Sequence, residues 1–113
     1  MKVTMTYNPA CGTARNVLAI LRERGIEPEI IEYLKTPLQS DEIMALVKAM
    51  KVPLRGVVRT KEKLYSELKL EKADDDTLLA AMVMHPVLLN RPIVTTPKGT
   101  KLCRPSETVA EIL

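Results

Sequence analysis

Lys2-Val3-Thr4-Met5-Thr6-Tyr7-Asn8-Pro9-Ala10-Cys11-Gly12-Thr13-Ala14-Arg15 is the stretch whose reading decides the fold. Val3, Met5 and Tyr7 alternate with Lys2, Thr4 and Thr6, the two-residue period of a strand. Asn8-Pro9-Ala10-Cys11-Gly12 breaks that period, and Asn, Pro and Gly so close together mark a tight loop. A helix is predicted from Thr13 to about Arg24, because Ala14, Val17, Leu18 and Leu21 share one apolar face. Thr13 serves as its N-cap and Gly25 as its stop. Glu29 to Tyr33, with Ile30 and Ile31, reads as a second strand. Two strands joined by a helix run parallel with a right-handed crossover. The opening residues from Met1 to Met5 lack the apolar run of a signal peptide and belong to the first strand.

The middle of the chain reads as helical. Ser40 caps a helix whose apolar face is Ile43, Leu46, Val47 and Met50, and Pro53 ends it. Residues 54–72 are mixed and basic, a pattern of short helical turns. Asp74 or Asp75 caps a further helix with Leu78, Leu79 and Met82 inward, and His85-Pro86 terminates it. Met44, Met50 and Met82 follow the spacing of a helical core. Ile93 to Thr95 is a third strand. Thr96-Pro97-Lys98-Gly99 has the residues of a type I turn, and Thr100 to Cys103 returns as an antiparallel fourth strand. Pro105 suits the first turn of a last helix, with Val109, Ile112 and Leu113 on its core face. The order βαβ, helices, ββα predicts an α/β thioredoxin-like fold. Its four-stranded mixed sheet carries a helical insertion, at about 36–88, between the second and third strands of a single domain spanning 1–113.

Composition narrows the function. The 113 residues are 46% apolar and 27% charged, ordinary for a globular domain. With no Phe, no Trp and three Tyr, the core must come from Leu, Ile, Val and Met. No apolar stretch approaches the ~20 residues of a membrane span. A net charge of +3, interleaved along the chain, does not mark a nucleic-acid binder, and stacking aromatics are scarce. Two cysteines, Cys11 and Cys103, fit a reducing cytoplasm better than a disulfide scaffold. One His and no C-x-x-C pair argue against a zinc site. Asp74-Asp75-Asp76 reads more simply as a helix N-terminus than as a metal site.

Chemistry concentrates at Cys11. A cysteine between a strand and a helix N-terminus faces unpaired first-turn N–H groups, and the helix dipole favours its thiolate. Gly12 lets the backbone fold tightly into an anion-binding nest, and Arg15 adds positive charge one turn along. The same loop suits an oxyanion beside the sulfur. The residue that would complete a redox C-x-x-C is Ala14, so dithiol exchange within the motif is excluded. Val17 excludes the Cys-x5-Arg loop of phosphatase-like enzymes. Cys103 reads as a structural residue, and His85 as a cap or turn residue.

Asn8-Pro9-Ala10-Cys11-Gly12-Thr13-Ala14-Arg15-Asn16 resembles the active-site loop of the glutaredoxin-coupled arsenate reductases. Asn90-Arg91-Pro92-Ile93-Val94 and Leu102-Cys103-Arg104-Pro105-Ser106-Glu107 are similar to two further motifs of that family, in order and at compatible spacing. The resemblance also takes in Glu32-Tyr33-Leu34, Thr36-Pro37 and His85-Pro86. It implies a single nucleophile, Cys11, and an anion pocket of three arginines, Arg59, Arg91 and Arg104. It further implies that Pro92 is the cis proline that thioredoxin-like folds hold beside the nucleophile. Without the family, Arg59 and Arg55 are equivalent choices. The positions of Arg91 and Arg104 agree with the resemblance. They flank the third and fourth strands, at the ends neighbouring the carboxyl end of the first, where open α/β sheets bind ligands.

The resemblance therefore implies arsenate, or a similar oxyanion, as substrate. Glutathione would be co-substrate and glutaredoxin the reducing partner, with no tightly bound cofactor and no metal. Gly12, Thr13, Arg15 and Pro92 would support the loop. Two departures stand out. Tyr7 replaces a His that some members place near the cysteine, so activation here must rest on the arginines and the helix terminus. The chain also ends at Leu113, inside the predicted last helix, where familiar members carry a longer tail. Two rival expectations are an arsenate reductase-like thiol oxidoreductase with another substrate and a non-enzymatic thioredoxin-fold regulator. Regulators of that kind typically carry the C-x-x-C that Ala14 denies this chain.

Overall fold

A computed structural model describes residues 2–113, so the expectation that Met1 opens the first strand lies outside the described residues. The chain divides into two compact units, one of residues 1–36 with 91–113 and one of residues 37–90.

The first unit holds the sheet. Its strands are β1 (Thr4–Thr6), β2 (Glu29–Ile31), β3 (Ile93–Thr96) and β4 (Gly99–Leu102). They lie in the order β2-β1-β3-β4. β1 runs parallel to β2 and antiparallel to β3, and β3 pairs antiparallel with β4. This is the four-stranded mixed sheet of a thioredoxin-like fold. Strand pairing outlasts the regular strands, since Glu29 N–H reaches Val3 O and Tyr7 N–H reaches Ile31 O, both at 2.8 Å.

Helix α1 (Gly12–Glu23) buries Ala14, Val17, Leu18 and Leu21, the predicted face. Val17, Leu18 and Leu21 join Val3, Met5, Val94, Cys103, Val109 and Ile112 in one apolar cluster, against which Tyr7 packs. Gly25 stops the helix with φ +75°, a region open to Gly at little steric cost.

Several details differ from expectation. Cys11, not Thr13, is the N-cap of α1, and Thr13 sits within the first turn. Thr6, placed by alternation on the polar side of β1, is buried, and its hydroxyl accepts Ile93 N–H at 2.9 Å. Pro105 lies outside the last helix as its N-cap, and the helix, Ser106–Ile112, is a 3-10 helix. Its i→i+3 bonds include Thr108 N–H to Pro105 O at 3.1 Å. The Thr96 hydroxyl donates to Ile112 O at 2.5 Å and ties the β3–β4 turn to this helix.

The second unit is helical: α2 (Ser40–Met50), α3 (Lys63–Glu67) and α4 (Asp75–Met84), with 3-10 turns at Leu54–Val57, Leu70–Lys72 and Pro86–Leu88. Gln39, not Ser40, is the N-cap of α2, and its N–H donates to Glu42 Oε1 at 2.9 Å. Asp74 caps α4, accepting Thr77 N–H at 2.8 Å. Of the methionines expected in the core, Met82 is buried, but Met44 is 41% exposed. Met44 follows the core residue Ile43 directly, and adjacent helical positions point about 100° apart, so only one of the pair faces inward.

Arg55 is the strut of this unit. Its guanidinium donates to Tyr65 Oη and Leu70 O, both at 2.8 Å, and to Ala73 O at 2.6 Å. One side chain thereby fixes three points of a segment with little apolar patterning. Arg55→Met keeps the length and apolar stem but removes all three donors. Hydrogen bonds from a charged donor are worth ~1.5–3 kcal/mol each when buried, and this site is only partly buried. A loss of about 2–3 kcal/mol is expected in urea unfolding. A variant within about 0.5 kcal/mol of the parent would remove Arg55 from this role.

Candidate active site

The loop after β1 is tied by its own residues. Asn8 accepts twice, its side chain from Ala10 N–H at 3.0 Å and its carbonyl from Cys11 N–H at 2.9 Å. Pro9 presents its carbonyl to Arg15 Nη1 at 2.8 Å. Arg15 N–H then makes the first intrahelical bond, to Cys11 O at 3.1 Å. The N–H groups of Gly12, Thr13 and Ala14 precede that bond, so the helix leaves them to the site.

Two features of this loop are geometric. Gly12 does not adopt positive φ, and a Cβ there would meet only Arg15 Nη2 at an ordinary 3.7 Å. The anion-binding donors are therefore those of an ordinary helix first turn, and no special glycine conformation is needed. Arg15 turns its guanidinium to the Pro9 carbonyl, so it braces the loop.

Cys11 is 7% exposed. Burial alone would raise its thiol pKa, but the Ala14 N–H, the hydrogen bond and charge of Arg91, and a hydrogen bond from Arg104 together carry it below the ordinary value. Arg104 Nη1 lies 4.0 Å from Cys11 Sγ and donates to Arg91 O at 3.0 Å. Both arginines sit where the strand ends converge. Arg91 immediately precedes Pro92 and β3, whose Val94 pairs with Met5 of β1. Arg104 follows β4, whose Leu102 pairs with Ile93. The Arg91–Pro92 and Arg104–Pro105 peptide bonds are both cis.

Arg59 belongs to the second unit. Its N–H donates to Leu88 O at 2.7 Å and its Nε faces Glu62 Oε2 at 3.5 Å. Arg55, the alternative that pattern left open, is taken up by its three internal bonds. Cys103 is fully buried, and burial pushes its thiol up to about 11. His85 is the C-cap of α4. Among the described residues no three His, Cys, Asp or Glu side chains group as a metal site, and no helix is long and apolar enough to cross a membrane. The sequence reading missed Thr6. A threonine in a strand alternates like any other, and only pairing with the start of β3 singles it out.

A thiol whose ionised form is favoured by two guanidinium groups and a helix N-terminus suits attack on an electrophile that is itself an anion. The chain is similar to proteins already known. The family model for the ArsC family matches residues 6–112. An arsenate reductase of Escherichia coli (strain K12) is 50% identical over 113 residues, covering 98% of this chain and 80% of that protein. An arsenate reductase of Rhizobium meliloti is 49% identical, covering 100% of this chain and 82% of the relative. Among solved structures, an arsenate reductase from Vibrio cholerae superposes with a TM-score of 0.95 at 40% identity, covering 100% of this chain and 98% of that one. With the match running from the last residue of β1 to the last residue of the closing 3-10 helix, the chain belongs to the ArsC family.

Proposed function

We propose that the protein reduces arsenate to arsenite with Cys11 as its nucleophile. The observation that carries this reading is the convergence of Arg91 and Arg104 on a single cysteine thiol. Arg91, Arg104 and the first-turn N–H groups of Gly12 and Thr13 bind the oxyanion. Arg59 joins them on the strength of the family resemblance. The Cys11 thiolate attacks As(V). A sulfur–arsenic bond forms, an arsenic–oxygen bond breaks, and the oxygen leaves as water. Glutathione then adds to the enzyme-bound arsenic: a second sulfur–arsenic bond forms and a second oxygen leaves as water. A glutaredoxin thiolate attacks the glutathione sulfur, the glutathione–arsenic bond breaks with its electron pair left on arsenic, and As(III) and a glutaredoxin–glutathione mixed disulfide result. Water then replaces the Cys11 sulfur on arsenic, so arsenite leaves and Cys11 returns as thiolate. On this reading no metal or tightly bound cofactor is required, and a reducing cytoplasm is the fitting compartment.

The test is NADPH oxidation coupled through glutathione reductase, with glutathione and glutaredoxin, in the presence and absence of arsenate. Arsenate-dependent oxidation is expected. Its absence, with folded protein, would refute the activity.

Oxyanion binding is separable from turnover. Sulfate, phosphate or arsenate at tens of millimolar is expected to slow alkylation of Cys11 by iodoacetamide. The protection should weaken as inert salt is added, because part of the attraction is screened. An alkylation rate unmoved by any of the three anions would count against a pre-formed pocket.

A further inference from the structure

The segment Arg91-Pro92-Ile93 carries one arginine of the site in its side chain and holds the other through its backbone, since Arg91 O accepts from Arg104 Nη1 at 3.0 Å. Two bonds pin this segment. On the β4 side Cys103 N–H donates to Pro92 O at 2.9 Å. On the β1 side Ile93 N–H donates to the Thr6 hydroxyl at 2.9 Å. The first is backbone to backbone and survives any side-chain change. The second depends on one side chain, which is 2% exposed and sits in β1 five residues before Cys11.

We propose that Thr6 is a positioning residue of the site: by accepting Ile93 N–H it fixes the Arg91–Ile93 segment, and through that segment sets both guanidinium groups against Cys11. Thr6 touches neither the sulfur nor the oxyanion. It anchors β3 to the strand that leads into the nucleophile loop, so the thiol and its two cations share one frame. Without the hydroxyl, Ile93 N–H is left in a buried position with no acceptor, and the segment must shift to regain one. A guanidinium already 4.0 Å from the sulfur loses much of its hold with a small further displacement. The Ala14 N–H also faces Cys11, whereas Arg15 is turned to Pro9 O and Tyr7 packs on the apolar cluster.

This inference rests on the reading of Cys11 as the nucleophile, but its test needs no arsenate. Thr6→Ser and Thr6→Ala both lose the methyl and differ only in the hydroxyl. The rate of Cys11 alkylation is followed against pH for the parent and both variants. Thr6→Ser is expected to keep the parent profile. Thr6→Ala is expected to shift the midpoint to higher pH and to slow alkylation near neutrality by about threefold to tenfold, because the thiolate loses stabilisation. The same comparison in an Arg91→Met background should show a smaller difference between Ser and Ala, since one of the two guanidinium groups that Thr6 positions is gone while Arg104 keeps its backbone acceptor at residue 91. Should Thr6→Ala fail to fold, Thr6→Val retains the side-chain shape without the acceptor and is read in the same way. Ser and Ala (or Val) variants with one profile in the Arg91 parent would overturn the role. So would an Ala effect that persists undiminished without the Arg91 guanidinium. The expected difference between the Ser and Ala profiles, combined with no arsenate reduction by the parent, would refute the proposed activity and leave the positioning role intact.

Discussion

Cys11→Ser is expected to abolish arsenate reduction, a loss on the order of 10⁴-fold or more, the scale of removing a covalent nucleophile. Cys103→Ser is expected to retain most of it. The two thiols differ in surroundings, not in chemistry. Cys11 caps a helix N-terminus beside Arg91 and Arg104, which together with the Ala14 N–H overcome its burial and lower its pKa. Cys103 lies in the apolar cluster, where burial pushes its thiol up to about 11. The sign for pH follows. At neutral pH the thiolate fraction is raised at Cys11 and negligible at Cys103, so alkylation should label Cys11 first. Its midpoint should fall below that of a free thiol. The coupled assay, with labelled residues identified by mass spectrometry, checks both points. An inactive but folded Cys103→Ser enzyme would contradict a single-nucleophile mechanism.

The lysine variants of the arginines come second in expected effect. Lys keeps the charge of Arg and loses its two-pronged donor fork. Arg91→Lys and Arg104→Lys are expected to leave Cys11 reactive near neutral pH, because the Ala14 N–H is untouched and an ammonium keeps a positive charge and a donor for the sulfur. Both should lose turnover, by about 1–4 kcal/mol of barrier, the scale of one oriented donor in a transition state. Arg104 has a further reason to be sensitive: its Nη1 serves both Arg91 O and the sulfur, and an ammonium at the end of a different stem does not reproduce that geometry. Arg59→Lys should have the smallest effect, since an ammonium can keep the ion pair with Glu62. The measurement is steady-state arsenate reduction beside the pH dependence of Cys11 alkylation for each variant. Parental turnover in Arg91→Lys and Arg104→Lys would remove the orienting role and leave these arginines as sources of charge.

Much of this was legible in residue order. The apolar face of α1 was set by Ala14, Val17, Leu18 and Leu21, because a 3.6-residue period admits one alignment with a sheet. Cys11 was marked by its place between strand and helix, where unpaired N–H groups are a property of any helix start. Arg91 and Arg104 were implied by the family resemblance, and their positions at strand ends agreed with it. Other features carried no local signal. Arg55 and Arg59 are four residues apart in a basic segment without periodicity. Only the folded unit gives one of them Tyr65, Leu70 and Ala73 and the other Glu62.

The sequence by itself determined the order of the main strands and helices and the core face of α1, and it marked Cys11 as the candidate nucleophile, because periodicity, capping and turn chemistry act over a few residues. Tertiary structure alone decided the direction of Arg15, the burial of Thr6, the exposure of Met44 and the 3-10 geometry of the closing helix. Each of these depends on partners outside its own few residues, or on which face of an element the rest of the chain covers. The pairing of Thr6 with Ile93 joins residues 87 apart. That bond becomes available only after β1 and β3 have met, because a threonine hydroxyl accepts from whichever buried N–H the fold brings to it.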